Sequence, residues 1–347
     1  DFIARKSQLD GDSGFDPTFY SPNLFDFQRA LVEWAVRKGR AAVFADCGLG
    51  KTAIQLNCAQ NVVERTNGRV LILTPLAVGA QTVREAEKFG VEARQSRDGK
   101  VGGSGIVVTN YEKLHLFDSA DFAGVVCDES SAIKAFDGKR RKEVTRFLSK
   151  TPYRFMFTAT PSPNDFVELG TTSEALGYMN QSDMLGTFFK ASDNARHSLF
   201  REGDFWNRAK WFFRAHSETP FWRWVCSWGR AIRRPSDLGF SDDGFILPEL
   251  RVTQHLVKAD TCFDGELFQR IAQTLAEQRE ERKATMKERC ERVAELVAHD
   301  RPAVAWCQYN EEGDILERMI PGAVQVAGAD SDEAKEERLT AFSTGQV

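Results

Sequence analysis

Five short apolar runs in the first 165 residues constrain the fold more than any other feature of the chain. They are Ala41–Ala45, Val70–Leu73, Ile106–Thr109, Val125–Cys127 and Phe155–Ala159. Most are rich in β-branched or aromatic residues. Each is followed by turn residues or by a charged, helix-compatible stretch. Continuous apolar runs of this length suit strands buried on both faces. Strands alternating with helices imply a parallel sheet covered by helices, which is an α/β fold. Functional loops in such a sheet lie at the carboxyl ends of the strands.

Composition excludes several classes. A chain of 347 residues corresponds to about two domains at roughly 150 residues each. Hydrophobic residues make up 42% and charged residues 28%, which is ordinary for a globular protein. No apolar run approaches the ~18 residues that span a bilayer. The opening DFIARKSQLDGDSG has no apolar core and does not read as a secretory signal. The formal net charge of −4 argues against a protein that is basic all over, and it leaves room for a local basic surface. The seven cysteines form no C-x-x-C pair and their count is odd, so a zinc ribbon or a disulfide framework is disfavoured. A reducing, cytoplasmic setting fits them best. The five histidines are scattered, and neither H-E-x-x-H nor G-x-S-x-G is present.

The loop after the first run carries the clearest chemistry. Residues 45–52 read A-D-C-G-L-G-K-T, between the strand AAVFA and the helical stretch TAIQLNCAQNVVE. Gly48 and Gly50 let the backbone turn its N–H groups toward an anion, and the helix N-terminus adds partial positive charge. Gly48, Leu49, Gly50, Lys51, Thr52 and Ala53 are therefore expected to cradle the phosphates of a nucleotide. Lys51 would reach the β- and γ-phosphates, and the Thr52 hydroxyl would ligate Mg²⁺. The pattern departs from G-x-x-x-x-G-K-[ST] in one place, where Ala45 stands for the first glycine.

A second loop supports the first. The run Gly124-Val125-Val126-Cys127 ends in Asp128-Glu129-Ser130-Ser131. Adjacent acids at the end of an apolar strand are costly there unless they serve a cation. Asp128 is placed to hold Mg²⁺, mostly through water. Glu129 is placed to orient and deprotonate an attacking water. A third loop, Thr158-Ala159-Thr160-Pro161-Ser162-Pro163-Asn164, puts hydroxyls and a rigid Pro-x-Pro after another strand. Thr158 and Thr160 are candidates for sensing the γ-phosphate and coupling it to a bound polymer.

Taken in this order, the motifs resemble those of superfamily-2 helicases and translocases. ADCGLGKT resembles motif I, in which the first glycine is commonly missing. DESS resembles motif II, with Ser130 and Ser131 departing from the commoner Ala-Asp or Ala-His, and TATP resembles motif III. LILTPLAVGAQTVREAEKF (71–89) resembles motif Ia, and VVTNYEKL (107–114) resembles motif Ib, which makes Thr109 and Asn110 candidate nucleic-acid contacts. Leu24-Phe25-Asp26-Phe27-Gln28 resembles the Q motif, whose glutamine reads the adenine edge. The phrase D-x-G-L-G-K-T, with AIRRPSDLGF…LPEL (231–250) and IPGAVQVAGADSDEAKEERLTAF (320–342), is similar to the Swi/Snf-like branch. The stretch 163–189 resembles phage- and prophage-encoded helicases.

The resemblance implies a motor of two RecA-like lobes. It predicts a P-loop NTPase lobe at 21–172 after an extension at 1–20 and an aromatic, basic insertion at 173–250. A helical connector at 251–300 and the start of a second lobe at 301–347 would follow. It implies ATP and Mg²⁺ as ligands and DNA, duplex favoured, as partner. It further implies a monomer in the cytoplasm, that of a bacterial host if the chain is phage-encoded, with phage or host replication or recombination proteins as further partners. Arg233 and Arg234 resemble the basic pair of the branch and would contact the polymer or brace the lobe junction. Motifs V and VI would lie beyond residue 347, so weak hydrolysis is expected of the chain as given. Two further readings stay open. One is a DEAD-box-type RNA helicase, and the other is a nucleotide-gated binding or scaffold module without productive turnover.

Residues 188–234 hold twelve aromatics among ten basic residues. They could stack on bases, or they could fill a small helical core. Twelve large exposed aromatics would promote aggregation, so most are expected in a core. Arg201, Arg208, Arg214, Arg223 and Arg230 are then the better candidates for phosphate contacts. Farther on, AVAWCQY (303–309) and AVQVAG (323–328) read as strands, each followed by a helix.

Overall fold

The computed structural model describes residues 12–76, 78–103, 105–135, 138–191, 211–257 and 274–346. The chain divides into two compact units, Asp1–Leu247 and Pro248–Val347. The first is built on a seven-stranded sheet. Its strands are β1 (Arg40–Ala45), β2 (Arg69–Thr74), β3 (Ala93–Gln95), β4 (Gly105–Asn110), β5 (Phe122–Cys127), β6 (Tyr153–Phe157) and, much later, β9 (Gly229–Ile232). The order across the sheet is β3-β4-β2-β5-β6-β1-β9, and every pairing is parallel. All five apolar runs are strands. The last ends at Phe157 and not at Ala159, so Thr158 already belongs to the loop.

The strands are hydrophobic on both faces because helices cover both. On one face Val43, Ala45, Val70, Ile72, Val108, Val126, Phe155 and Phe157 pack under helices α1 (Asp26–Lys38) and α2 (Lys51–Thr66). Their neighbours in sequence, among them Ala42, Phe44, Leu71, Leu73, Val107, Cys127 and Met156, point to the opposite face. This alternation with a period of two is what a pleated strand imposes. Helix α3 (Gly79–Lys88) follows β2 and packs against β3 and β4. Before α1, the backbone at Thr18, Phe19 and Ser21 donates to the side chains of Asn61 and Asn57 at 2.8–2.9 Å. The two buried asparagines thereby tie the leading segment to α2.

The opposite face is covered by α4 (Gly138–Ser149), α5 (Leu169–Leu176), α6 (Gln181–Phe188) and α7 (Glu218–Trp228). Between α6 and α7 lies an antiparallel pair, β7 (Phe189–Ala191) with β8 (Trp211–Phe213). Among the described residues the aromatic stretch is mostly core, as the aggregation argument requires. Phe188, Phe189, Phe221, Trp224 and Trp228 are buried, and Phe221 and Trp228 have no exposure. Their rings meet at 5.3–5.7 Å in edge-on and tilted arrangements, and Trp228 stands edge-on to Phe44 of β1. Phe212 is the exception, at 53% exposure. Phe200, Phe205, Trp206, Arg201 and Arg208 lie outside the described residues.

The stretch is not simply helical. Gly229–Ile232 joins the sheet beside β1, from Ala42↔Gly229 to Ala45↔Ile232. Sequence reading missed β9 because GRAI is short and half polar. Arg154, 4% exposed, braces the far end of this layer. Its guanidinium donates to the carbonyls of Ser149, Thr151 and Ala175 near the ends of α4 and α5. Burial pulls its pKa down to about 10, which leaves the charge intact at neutral pH.

The second unit is helical: α8 (Leu275–Ala284), α9 (Met286–Leu296), α10 (Asn310–Met319) and α11 (Asp332–Ser343). Met286, Cys290 and Leu316 form its small core. The two expected helices after 309 and 328 are present. The two expected strands are not paired into a sheet, and Val304 and Trp306 are 59% and 95% exposed. A strand persists only with a ladder partner and a buried face, and neither is supplied among the described residues of this unit.

The burial of Trp228 against β1 sets an expected cost. Trp228→Ala should destabilise the first unit by about 3–5 kcal/mol. Denaturant unfolding followed by tryptophan fluorescence measures it.

Candidate functional site

Sheet order places the predicted loops together. β5, β6 and β1 are consecutive neighbours. Asp128, Thr158 and the loop 46–50 therefore leave the same edge of the sheet, on strands ~4.8 Å apart. The loop backbones are stitched to neighbouring strands. Asp128 N donates to Leu73 O at 2.8 Å, Ser130 N to Phe157 O at 2.8 Å, Thr158 N to Val43 O at 3.3 Å, and Asp46 N to Ile232 O at 3.0 Å.

The loop between β1 and α2 has the shape its glycines permit. Gly48 and Gly50 have φ of +81° and +69°. A Cβ at Gly50 would run into Gln28 Nε2. The α2 helix starts at Lys51 without a side-chain cap, so its first N–H groups have no capping side chain. The Lys51 ammonium folds back onto the carbonyls of Ala45 and Asp46 at 3.2 and 3.4 Å and lies 3.9 Å from Glu129 Oε1. Thr52 is half-buried on the first turn, while Leu49 and Ala53 are buried and anchor the loop.

Gln28 is 3% exposed. It accepts from Phe25 N at 3.1 Å and donates to Leu49 O at 2.9 Å. The residue read as an adenine contact thus holds the backbone of the 46–50 loop to α1.

The two acids differ in environment. Asp128 is 7% exposed, and burial raises its carboxyl pKa. Gln55 Nε2 opposes that shift by donating to Asp128 Oδ1 at 2.6 Å. Tyr111 Oη donates to the Asp128 carbonyl oxygen at 2.7 Å. Burial lifts the Tyr111 phenol well above its ordinary pKa, so it remains a donor.

Glu129 is partly exposed and has φ +43°, a left-handed conformation uncommon for a residue with a side chain. Its Oε2 accepts from Thr158 Oγ1 at 3.2 Å, and that hydroxyl also accepts from Thr160 N at 3.0 Å. Lys51, Glu129, Thr158 and Thr160 are thus linked through space.

The residues read as nucleic-acid contacts lie along the same edge on either side. Thr109 and Asn110 end β4, two strands from β5. Thr109 is 2% exposed, and the Asn110 side chain accepts from Lys113 N at 3.0 Å. Arg233 and Arg234 follow β9 directly, with exposed side chains, and Asp237 Oδ2 accepts from both backbone N–H groups.

Sequence reading missed Gln55 and Tyr111. For Gln55 a signal exists, since it lies one helical turn from Thr52 and an amide on that buried face needs a partner. For Tyr111 no local signal exists.

Comparison with known proteins gives one family match and several partial structural similarities. Residues 23–163 match the family described as Type III restriction enzyme, res subunit. No curated protein sequence matches the chain significantly. The Sulfolobus solfataricus SWI2/SNF2 ATPase core, solved in complex with dsDNA, aligns over 96% of this chain and 67% of its own at 16% identity, with a TM-score of 0.51. The UvsW helicase of bacteriophage T4 aligns over 52% of this chain and 66% of its own at 13% identity, with a TM-score of 0.38. The Pyrococcus furiosus Hef helicase domain aligns over 44% of this chain and 36% of its own at 18% identity, with a TM-score of 0.37. The alignments thus span about two thirds of the first two chains and about one third of the third.

The loop geometry carries its own expectation. Gly50→Ala combines a positive φ with a clash against Gln28. It should cost about 1–3 kcal/mol through backbone strain, measured as a lower unfolding midpoint of the first unit.

Proposed function

We propose that residues 23–163 form a lobe of superfamily-2 helicase type and that the chain is an ATP-dependent DNA translocase or helicase that favours duplex DNA. One observation carries the reading. The glycine loop with Lys51, the acids Asp128 and Glu129, and the Thr158 hydroxyl meet at the ends of three neighbouring strands. A phosphate cradle alone would fit many nucleotide binders. A carboxylate beside it, hydrogen-bonded to the hydroxyl of the next loop, fits one that also cleaves and transmits.

The residues fit Mg-ATP. The positive-φ glycines give the loop a concave backbone at a helix N-terminus, the arrangement that receives phosphates. Lys51 is the cation for the β- and γ-phosphates. Thr52 and Asp128 are the oxygen donors for the metal, and the buried Asp128 gains most from a cation because its charge is otherwise poorly solvated. When bound, Mg²⁺ would neutralise charge developing on the phosphates. Glu129, the more exposed of the pair, is the base that orients and deprotonates the water. The Thr158 hydroxyl holds Glu129 and passes its position to Thr160, which is exposed on the polymer-facing loop.

DNA contact is assigned to the same sheet edge. Arg233 and Arg234 are exposed there, and backbone contacts of this kind give affinity with little sequence preference. Thr109 is 2% exposed and Asn110 partly exposed, so of the two it is Asn110 that is assigned to the polymer. The SWI2/SNF2 ATPase core that shares the fold is described with dsDNA, which supports duplex over RNA. Residues 251–300 and 301–347 are proposed as the connector and the start of a second lobe. No described helix is long and apolar enough to cross a membrane, and a cytoplasmic setting is proposed from the cysteine usage.

Hydrolysis measured without polymer and with duplex DNA, single-stranded DNA or RNA tests the reading. Duplex DNA should stimulate turnover most. Lys51→Ala should lose nucleotide binding. Glu129→Gln should keep binding and lose on the order of 10²–10⁴ in rate, the usual worth of a general base. Greater stimulation by RNA would overturn the DNA assignment. Failure to bind nucleotide would overturn the whole reading.

A further inference from the structure

Gln55 is a fully buried amide facing a buried acid. It has 0% exposure, lies on α2 one turn beyond Thr52, and donates to Asp128 Oδ1 at 2.6 Å. An ionised carboxylate only accepts hydrogen bonds, so the amide nitrogen must be the atom turned toward it. The other amide atom, Gln55 Oε1, is buried with no hydrogen-bond partner. Leaving an acceptor unpaired costs about 1–3 kcal/mol. A core position that needed only volume would be filled at lower cost by Leu or Met. The amide is retained at this position, and its one hydrogen bond goes to Asp128.

The second restraint on the same residue comes from Tyr111, whose hydroxyl holds the Asp128 carbonyl at 2.7 Å. Main chain and carboxylate are thus fixed by different elements. Tyr111 sets where the residue stands, and Gln55 sets how its carboxylate is turned. With Oδ1 held by the amide, the turn of the carboxylate is set, and with it the directions in which it can meet a cation.

We propose that Gln55 is the positioning residue of the metal site: by holding Asp128 Oδ1 it orients the carboxylate for Mg²⁺. The inference rests on the assignment of Asp128 as a metal ligand. It adds that the helix carrying Lys51 and Thr52 also controls the acid across from them. Outer partners of metal ligands commonly change metal affinity 10–100-fold when removed.

The test is calorimetric titration of the intact chain with ADP across a series of Mg²⁺ concentrations, comparing wild type, Gln55→Met and Lys51→Ala. Met keeps the side-chain volume and removes the donor. In Gln55→Met the Mg²⁺ concentration for half-maximal tightening of ADP should rise about 10–100-fold. ADP affinity without Mg²⁺ should be unchanged. The rise in melting temperature that Mg²⁺ adds to ADP alone should shrink in parallel. That difference is read on the folded fraction, so a general loss of stability does not imitate it.

An unchanged Mg²⁺ dependence in Gln55→Met overturns the proposal. Equal losses with and without Mg²⁺ also overturn it, because they mark a purely structural role. Wild type that binds ADP with no response to Mg²⁺ overturns the Gln55 role and leaves the phosphate loop standing. Wild type that binds no ADP, like Lys51→Ala, overturns the nucleotide reading itself.

Discussion

The parallel ladders that join β2, β5, β6 and β1 are what the rest of the molecule depends on. In a parallel sheet every strand points the same way, so every carboxyl end lies on one edge. Here three consecutive strands on that edge deliver a glycine loop, a pair of acids and a hydroxyl. No single loop could assemble these groups, because residues 51, 129 and 158 are far apart in sequence. The register of the ladders does so, and the apolar faces of the strands fix that register. A slip by one residue would turn every buried side chain to the other face.

The site gains its character from unequal burial. Asp128 is sealed beneath α2 and the segment that follows β4, with its carboxylate held by Gln55 and its carbonyl by Tyr111. Glu129, the next residue, turns out through a left-handed backbone and remains partly exposed. Two adjacent carboxylates thereby meet different environments without any difference in local sequence chemistry. The strained backbone at Glu129 is tolerated because Ser130 is anchored on β6 immediately afterward.

Much of this was legible in the sequence. Five strands stood out because a strand buried on both faces must be apolar throughout. The loop after β1 stood out because its conformation requires glycine at two positions. The legible parts are those that local rules determine. Gln28 shows the limit. Its presence near the loop could be read, but not that its amide is committed to Phe25 and Leu49, since that depends on how α1 meets α2. Gln55 and Tyr111 show the same limit, because their roles arise only when β5 is set between its neighbours. β9 escaped notice because four residues, two of them outward-facing, carry too little periodicity. In the second unit the failure ran the other way. The residues of AVAWCQY and AVQVAG favour strands, but propensity alone does not pair them.

The late arrival of β9 changes what counts as the edge of the first unit's sheet. The strand lies 66 residues beyond the family match, which ends at residue 163, yet it is hydrogen-bonded to the strand that launches the phosphate loop. A fragment trimmed to the matched boundaries would strip β1 of one neighbour and turn a central strand into a bare, hydrophobic border. Such a border recruits other chains. The aromatic stretch therefore contributes to the fold apart from any contact with a polymer: it ends in the strand that covers β1, so that the border of the sheet falls on a short strand with two outward-facing residues and not on β1 itself.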